Sequence, residues 1–425
     1  MKNIIKLLVL LPLFATTACD DLFEPAIENN RDLDAMHSDA DYALGVLANG
    51  YILLPYNTSP TSDVATDDAV SNDNSNTWRA MATGAWTAQN DPTSQWKNCY
   101  NAIQYLNMFL ERVESVPFSQ TENIQTLFVD SYSGEAYGLR AVYMYFLLRA
   151  HGGIGTDGQL LGVPIKTASE SPESDFSQPR DTYAACIEQI LSDCDKAIEL
   201  LPLDYKDGHT ESEIPQKYLD LGINTDQYDR VNGVYRAGRI SGRIVEAVRA
   251  QAALMAASPA FAESGITWEE AANSAGTVLQ RIDGINGIDA DGYTWYCNTS
   301  EIAGLGNGSN PQEIIWRAGY SDSNTLEGDN FPPSLYGNGR VNPTQNLVDA
   351  FPMANGYPID NSNSEYDASN PYENRDPRLA TYIITNGSTA GSTTITTGSY
   401  GTNNDAINRE SGHSTRTGYY LRKHL

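Results

Sequence analysis

The sequence predicts a mainly α protein built from irregular helical repeats, followed by a loop-rich second half. Residues 134–153, 182–202 and 240–259 place apolar side chains three and four positions apart, which is the spacing of one helix face. From residue 284 onward Gly, Asn, Ser, Thr and Pro dominate, and the apolar runs become short. We therefore expect a helical part at residues 38–283 and, at residues 284–425, loops, short strands and brief helices packed on it.

The best-patterned helix covers residues 134–153. Its apolar side chains form one stripe, which predicts burial of that stripe against other helices. Gly152 is expected to end the helix as a left-handed residue, and Pro164 follows a short apolar exit. The stripe consists of Ala136, Leu139, Tyr143, Phe146, Leu147 and Ala150.

Three further helices are predicted in the first part. Residues 38–54 form the first, with Ser38 or Asp39 as its cap and Pro55 at its end. Residues 93–113 form the second, and residues 268–282 pair with the helix at residues 240–259. Polar composition predicts a surface loop at residues 57–77 and a loop-rich insert at residues 203–239.

The helix at residues 268–282 carries small residues with a repeat-like pattern. Ala271, Ala272 and Ala275, together with Trp268 and Leu279, resemble the first helix of a tetratricopeptide unit. Regular units of that type recur about every 34 residues. The helices here are spaced unevenly, so we expect an irregular tetratricopeptide-like repeat interrupted by long inserts.

The N-terminus has the pattern of a secreted lipoprotein. Residues 1–18 contain two lysines, a short apolar run and small residues, which predicts a signal peptide that is too short to span a bilayer. Cys19 follows at the position of an acylated cysteine, and residues 19–37 form a flexible, lipid-anchored linker. Asp20 and Asp21 resemble an acidic export signal, which favours an outer-membrane location facing the cell exterior. The alternative is an ordinary cleaved signal beside an incidental cysteine.

Charge and spacing argue against several classes of function. The net charge of −27 disfavours nucleic acid as a partner, because a basic face is needed to bind phosphates. The spacing of the five cysteines and five histidines predicts no metal site, and we expect no cofactor and no catalytic residue. Cys186 and Cys194 lie eight residues apart on one helix, too far for a disulfide, so buried free thiols are expected.

Two alternatives stay open at the level of sequence. A calcium ion bound by Asp289 and Asp291, or by Asp67 and Asp68, is not excluded, although the pattern of a calcium-binding loop is incomplete. A glycosidase pair is also not excluded by the 54 carboxylates, because the approach of two carboxyl groups is a spatial property.

Aromatic residues beside polar ones are the candidate ligand-binding residues. Sugars present apolar C–H faces and polar rims, so flat rings with amide and carboxylate neighbours suit them. The alternative role of each aromatic side chain is core packing. Trp78 and Trp96 are expected as platforms, with Asp68 and Asn98 as hydrogen-bonding partners. The second choices are Trp295, Tyr296 and Tyr320.

Three stretches of the chain resemble one known family. Residues 140–153 with residues 162–165, residues 342–359 and residues 370–379 are similar to signature segments of the SusD/RagB family. Together with Cys19, the resemblance covers nearly the whole chain. It implies a tetratricopeptide-based surface lipoprotein that captures glycans and passes them to a SusC-like TonB-dependent outer-membrane transporter, without catalysis. It also implies that further helices follow residue 425.

The resemblance leaves two alternative functions. Some members of the family take peptides or other nutrients instead of glycans. A pure interaction module for the transporter, with little ligand affinity of its own, is the second alternative. The matched motifs belong to the scaffold, so the resemblance does not identify the ligand.

Overall fold

The structure of this protein is a computed structural model that describes residues 33–56, 60–289, 299–305, 314–319 and 323–423. The helices of the first part are α1 (Ala40–Ile52), α2 (Arg79–Ala82), α3 (Trp96–Leu110), α4 (Glu122–His151), α5 (Tyr183–Leu200), α6 (Gln216–Asp220), α7 (Thr225–Asn232), α8 (Gly242–Ala256) and α9 (Trp268–Gln280). Those of the second part are α10 (Thr299–Leu305), α11 (Thr325–Asn330), α12 (Gln345–Ala350) and α13 (Pro377–Tyr382).

The described strands are short and form antiparallel pairs. The strands are β1 (Ala69–Ser71), β2 (Gly153–Ile154), β3 (Leu160–Leu161), β4 (Val341–Pro343), β5 (Ile383–Ile384), β6 (Thr389–Ala390), β7 (Thr393–Thr394) and β8 (Tyr420–Leu421). The pairs are β1 with β4, β2 with β3, β5 with β8, and β6 with β7. The pair β6–β7 forms a hairpin within the Gly/Ser/Thr-rich run at residues 386–402.

Helix α4 is the centre of the core, but the predicted single stripe is too narrow. The helix begins at Glu122, and all residues from Ser131 to Leu148 except Tyr137 are buried. Helices α3 and α5 pack on α4, and α1, α8 and α9 complete the bundle around them. A helix enclosed by neighbours on all sides needs apolar or paired side chains on every face, so a one-sided pattern understates its burial.

Gly152 ends α4 as predicted, but it is not the left-handed residue that the sequence predicts. Gly152 has an extended conformation, with φ of −75° and ψ of 150°. A Cβ atom there would lie 2.6 Å from the carbonyl oxygen of Leu148 and 3.0 Å from Cε2 of Tyr183. Glycine is therefore required by close packing, and the positive φ of 153° belongs to Gly153.

Two segments predicted as loops contain regular structure. Within residues 57–77, Ala69–Ser71 form β1, and Ala69 and Ser71 are buried. The insert at residues 203–239 contains α6 and α7, whose residues Tyr218 and Tyr228 share a small apolar cluster with Leu127 of α4. Both predictions failed because the apolar positions are few and the residues that cover them lie far away in the sequence.

The other helices match their predictions closely. Asp39 caps α1 by accepting a hydrogen bond from the N–H of Tyr42, as predicted for one of the two candidate caps. Helix α9 packs on α8, and Ala271 is buried, whereas Ala272 and Ala275 are exposed. Cys186 and Cys194 are buried free thiols, and so is Cys99 in α3.

The polypeptide between α1 and α3 leaves and returns at the same end of α4. Tyr56 packs edge-on against Phe146 with ring centroids 5.1 Å apart, and Trp96 packs against His151 at 5.5 Å. Between these two anchors lies β1, which pairs with β4 of the second part. This pairing places residues 71–78 beside residues 329–340 and creates the cleft described next.

Candidate functional site

A cleft of about 260 Å³ lies between residues 71–78 and residues 329–340. We call it the Trp78 cleft. Among the described residues that line it, Trp78 is the one aromatic residue, and every other one has a polar side chain. The lining consists of Thr61, Ser71, Asp73, Ser75, Asn76, Thr77, Trp78, Asp329, Asn330 and Arg340.

The first wall of the cleft is a series of turns that follows β1. Asp73 accepts hydrogen bonds from the N–H and the hydroxyl of Ser75, at 2.8 and 2.7 Å. Asn76 accepts one from the N–H of Trp78 at 2.9 Å, and Trp78 immediately precedes the short helix α2. Such side-chain bonds to a backbone two residues away are the local preference of Asp and Asn, so this wall is fixed by its own sequence.

The indole of Trp78 is half-buried rather than free. It packs against an apolar cluster formed by Val64, Ala69 and Val341. Two of these residues belong to the paired strands β1 and β4, so strand pairing also supports the ring. A ring held on one side by apolar contacts loses little entropy when a ligand covers its other side.

The second wall precedes β4 and is held from within. The side chain of Asn330 accepts from the N–H of Val341 at 3.2 Å and donates to the carbonyl of Leu326 at 3.0 Å. The N–H of Arg340 donates to the carbonyl of Asp329 at 2.9 Å. The guanidinium of Arg340 donates through Nη1 to the carbonyl of Gly412 at 3.0 Å. The wall is thereby tied to residues near the end of the described chain.

Asn72 joins the two walls behind the cleft. Its side-chain nitrogen donates to the carbonyl oxygens of Asn338, Gly339 and Ser414, at 2.9, 2.7 and 3.3 Å. The residue is buried, and its backbone N–H donates to the carbonyl of Arg340 at 3.3 Å. These bonds connect residues more than 260 positions apart in the chain. The width of the cleft therefore depends on this buried amide.

The carboxylate of Asp73 is held in its ionised form. The hydrogen bonds from Ser75 lower the pKa of Asp73 below its usual value, and the charges of Arg340 and Arg79 lower it further. An ionised carboxylate accepts hydrogen bonds only, so Asp73 is an acceptor for ligand hydroxyl groups at neutral pH. Arg340 supplies donors across the cleft.

The arrangement suits a ligand with an apolar face and a hydroxylated edge. The indole offers an apolar surface, while carboxylate, amide, hydroxyl and guanidinium groups offer acceptors and donors around it. Within the described ranges, no cluster of three or more His, Cys, Asp or Glu side chains forms a metal site. The indole and the polar groups around it can hold a ligand by stacking and hydrogen bonds.

The structure brings one of the predicted ligand-binding residues into the cleft. Trp78 lines it, whereas Asp68 and Asn98 are exposed and lie outside its lining. The carbonyl of Asp68 accepts a hydrogen bond from the N–H of Thr344 at 2.8 Å. Trp96 opens α3 with its indole 43% exposed, beside Tyr100 and His151. Four predicted residues, Cys19, Trp295, Tyr296 and Tyr320, lie outside the described residues.

Sequence reasoning missed most of the cleft. Asp329 and Arg340 are more than 250 positions from Asp73, and nothing in their local pattern indicates that they face it. The run from Asn72 to Trp78 did carry a signal, because polar turn residues ending at a tryptophan are typical of a binding loop. The sequence prediction treats residues 57–77 as a surface loop and takes only Trp78 of this run as a ligand platform.

A second cleft of about 260 Å³ lies among helices α5, α8 and α9. Its principal charged group is Arg249, which already donates to Asp195 at 3.0 Å and to Ser274 at 2.8 Å. In the part of the chain that the structure describes, no aromatic residue lines this second cleft. Its lining consists of Leu191, Arg249, Ala253, Ile266, Glu270, Asn273, Ser274 and Thr277. The Trp78 cleft has the better chemistry for a sugar.

Comparisons with known proteins point to one family. Residues 28–217 match the family model described as "Starch-binding associating with outer membrane". Residues 312–425 match the model described as "SusD family". A comparison with curated protein sequences gave no match.

In the described part of the chain, no helix is both long enough and apolar enough to cross a membrane.

Solved structures with the same fold come from Bacteroides. A SusD-like protein from Bacteroides fragilis NCTC 9343 is 20% identical, with a TM-score of 0.65 over 94% of this chain and 71% of that chain. A SusD-like carbohydrate binding protein from the same organism is 20% identical, with a TM-score of 0.63 over 92% and 68%. A SusD superfamily protein from Bacteroides vulgatus ATCC 8482 is 15% identical, with a TM-score of 0.56 over 92% and 68%. These likenesses confirm the predicted fold class.

Proposed function

The chain belongs to the SusD/RagB family, and from that premise we propose that it captures glycans at the cell surface through the Trp78 cleft. The observation that carries this proposal is the lining of the cleft, in which one supported indole is surrounded by polar side chains. The similar fold of a SusD-like carbohydrate binding protein from Bacteroides fragilis NCTC 9343 supports the same class of ligand.

The residues of the cleft have distinct roles in this proposal. The exposed side of Trp78 stacks on the apolar face of a sugar ring. Asp73 accepts hydrogen bonds from hydroxyl groups, and Arg340 donates to ring or hydroxyl oxygens. Trp96 is a second platform outside the cleft, and Asp68 and Asn98 remain proposed polar contacts of a longer polysaccharide. Trp295, Tyr296 and Tyr320 remain proposed as second-choice aromatic contacts.

Isothermal titration of the full chain against starch, xylan, pectin and arabinogalactan tests the proposal. We expect heat of binding with at least one of them. Trp78→Ala should weaken that affinity by about 10- to 30-fold, since truncating a central aromatic contact costs about 1.4–2 kcal/mol. Asp73→Asn keeps the packing of the indole and tests the polar contact separately.

The matched control is Trp268→Ala. Trp268 is an exposed tryptophan on α9, so its loss should leave glycan affinity unchanged. If no polysaccharide of the panel binds, the alternatives are a peptide or other nutrient, or an interaction module with little ligand affinity. A peptide library in the same titration separates these two outcomes.

The proposed activity is binding without hydrolysis. Asp73 and Asp329 both line the cleft, so a hydrolytic pair is the competing function. Incubation of the protein with the polysaccharide it binds should release no new reducing ends. Release that disappears in Asp73→Asn would instead establish a glycosidase.

We further propose that acyl chains on Cys19 anchor the protein to the outer membrane, facing the cell exterior. The family model that matches residues 28–217 is described as associating with the outer membrane, which supports this location. Labelling with a radioactive fatty acid should mark the wild-type protein and not Cys19→Ala. Protease added to intact cells should cut the protein, and an uncut chain would place it on the periplasmic side.

The proposed partner is a SusC-like TonB-dependent transporter, with the helical repeats facing it. Cross-linking on intact cells, followed by affinity capture of this protein, should recover an outer-membrane transporter. The capture should persist in Trp78→Ala, since the cleft is separate from the helical bundle. Loss of capture in that variant would contradict the assignment of separate surfaces.

A further inference from the structure

His151 occupies a position that connects α4 with the start of α3. It is the last residue of α4, and its Nε2 accepts a hydrogen bond from the backbone N–H of Gln95 at 3.0 Å. Gln95 is the capping residue of α3, immediately before Trp96. In many helices a side chain of the first turn accepts this N–H, and here the acceptor comes from another helix.

The same imidazole contacts the indole of Trp96. The two rings meet edge to face, with centroids 5.5 Å apart and planes at 86°. Tyr100, one turn further along α3, packs against Trp96 at 4.9 Å and donates its hydroxyl proton to the carbonyl of Pro164 at 2.7 Å. Trp96 is therefore held between an anchored tyrosine and His151, with 43% of its surface exposed.

The hydrogen bond from Gln95 requires a neutral imidazole. A backbone N–H always donates, so Nε2 must carry a lone pair, and the ring proton must be on Nδ1. Protonation adds a second N–H to the ring, at Nε2, where it points at the backbone N–H of Gln95. The bond is then replaced by repulsion between two donors.

We propose that His151 is an acid-sensitive positioning residue, which holds Gln95 and Trp96 in place while it is neutral and releases them when it is protonated. The proposal goes beyond glycan capture and rests on that function only where Trp96 is taken as a ligand platform. Its consequence is that the platform at Trp96 is ordered near neutral pH and loosened in acid.

The surroundings of His151 agree with a neutral resting state. Burial lowers the pKa of His151 below its usual value, and the charge of Arg180 lowers it further, while Asp91 acts in the opposite direction. Arg180, from the segment before α5, also donates to the backbone carbonyl of His151 at 2.7 Å. Asp91 lies in the loop before α3 and accepts hydrogen bonds from Thr93.

The test uses the intrinsic fluorescence of the full chain without ligand, because a protonated imidazole quenches an adjacent indole. As pH falls from about 7.5 to about 4.5, wild-type emission should drop with a midpoint below about 6.5, the ordinary histidine pKa. His151→Gln should show no such drop, since its amide oxygen accepts from Gln95 and does not titrate. Trp96→Phe should lose the transition because the reporter is gone.

A matched control and a rescue complete the design. His413→Gln removes a histidine of the second part and should keep the transition. His151→Ala should give a red-shifted emission already at neutral pH, and His151→Gln should restore the wild-type spectrum. A transition that persists in His151→Gln, or its absence from wild type, would overturn the proposal.

The fluorescence test of His151 can fail or succeed independently of the test for glycan binding. If no polysaccharide binds at neutral pH, glycan capture fails, whereas the ligand-free titration still decides the role of His151. If starch or another polysaccharide of the panel binds, its affinity should fall in acid for wild type and remain constant for His151→Gln. An equal fall in both proteins would contradict the coupling to ligand.

Discussion

The guanidinium of Arg140 in α4 makes two parallel hydrogen bonds with the carboxylate of Asp193 in α5, each 2.7 Å long. Both side chains are buried, with exposures of 4% and 0%. A third bond, 2.8 Å from Nη1 to the side-chain oxygen of Asn107, reaches α3. One side chain therefore connects the three central helices, and the carboxylate provides the charge that the buried guanidinium needs.

We predict that Asp193→Asn lowers the free energy of unfolding by about 3–5 kcal/mol, because it leaves the guanidinium buried without a counter-charge. The double variant Arg140→Met/Asp193→Leu should cost much less, since it removes both charges. Urea unfolding followed by circular dichroism measures both. Arg378→Gln, which breaks a surface ion pair with Asp376, is the control and should cost no more than about 1 kcal/mol. Equal losses in Asp193→Asn and this control would contradict the prediction.

The buried amide of Asn72 should control both stability and the cleft. Asn72→Ala removes the donor to three backbone carbonyls and should lower the free energy of unfolding by about 1–3 kcal/mol. Asn72→Asp should cost more, because a carboxylate would face those same carbonyl oxygens. Asn98→Asp, on the exposed surface of α3, should stay within about 0.5 kcal/mol. Urea unfolding gives the stabilities, and a cost for Asn72→Asp below that of Asn72→Ala would refute the donor role.

Glycan affinity through the cleft should be insensitive to pH from about 8 down to about 5. The pKa of Asp73 is lowered, so its carboxylate stays ionised throughout that range. Its contribution is lost only as pH falls through this lowered pKa, which lies below the ordinary pKa of an aspartate. Titrations in the His151→Gln background isolate the cleft from the behaviour of Trp96. Ser75→Ala removes one hydrogen bond to Asp73. The titration midpoint of the Asp73 carboxyl resonance, followed by NMR, should then move to higher pH. An unchanged midpoint would contradict the assignment of the lowered pKa to the hydrogen bonds from Ser75.

The thiols of Cys99, Cys186 and Cys194 should resist modification in the native protein. All three are buried, and burial raises the pKa of Cys99 to about 12 and that of Cys194 further. Cys186 also donates to the carbonyl of Val163 at 3.2 Å. Treatment with N-ethylmaleimide at pH near 8, followed by peptide mass mapping, should label these residues only after unfolding in urea, since the reactive species is the thiolate. Rapid labelling of Cys186 in the native chain would show that its site opens.

Local sequence pattern was sufficient to predict an element wherever the cap and the apolar spacing lie within that element. Asp39 before α1 was recognisable as a candidate cap, because a capping side chain accepts a hydrogen bond from a backbone N–H three residues away. The apolar spacing in α5 and α8 predicted buried helices for the same reason. The predicted unit at residues 268–282 likewise corresponds to α9. The division of the chain at residue 284 stays a prediction.

Pattern failed where a residue is explained by a distant partner. Ser131 to Leu148 are buried on nearly all sides of α4 because α1, α3, α5 and α8 surround the helix, and a single sequence does not show who its neighbours are. Gly152 is a glycine because Leu148 and Tyr183 leave no room for a Cβ atom. The strand β1 was hidden in a polar run because its partner β4 lies some 270 positions later.

The sequence by itself determined that this is a mainly helical protein of the SusD type, because helix periodicity, caps and family motifs are local properties. Tertiary structure alone decided which aromatic residue has a polar cleft around it. Asp73 and Trp78 meet Asp329 and Arg340 only because β1 pairs with β4 and Asn72 bonds across the gap. The sequence placed Trp96 beside a helix start, whereas its exposure and its contact with His151 are properties of the tertiary structure.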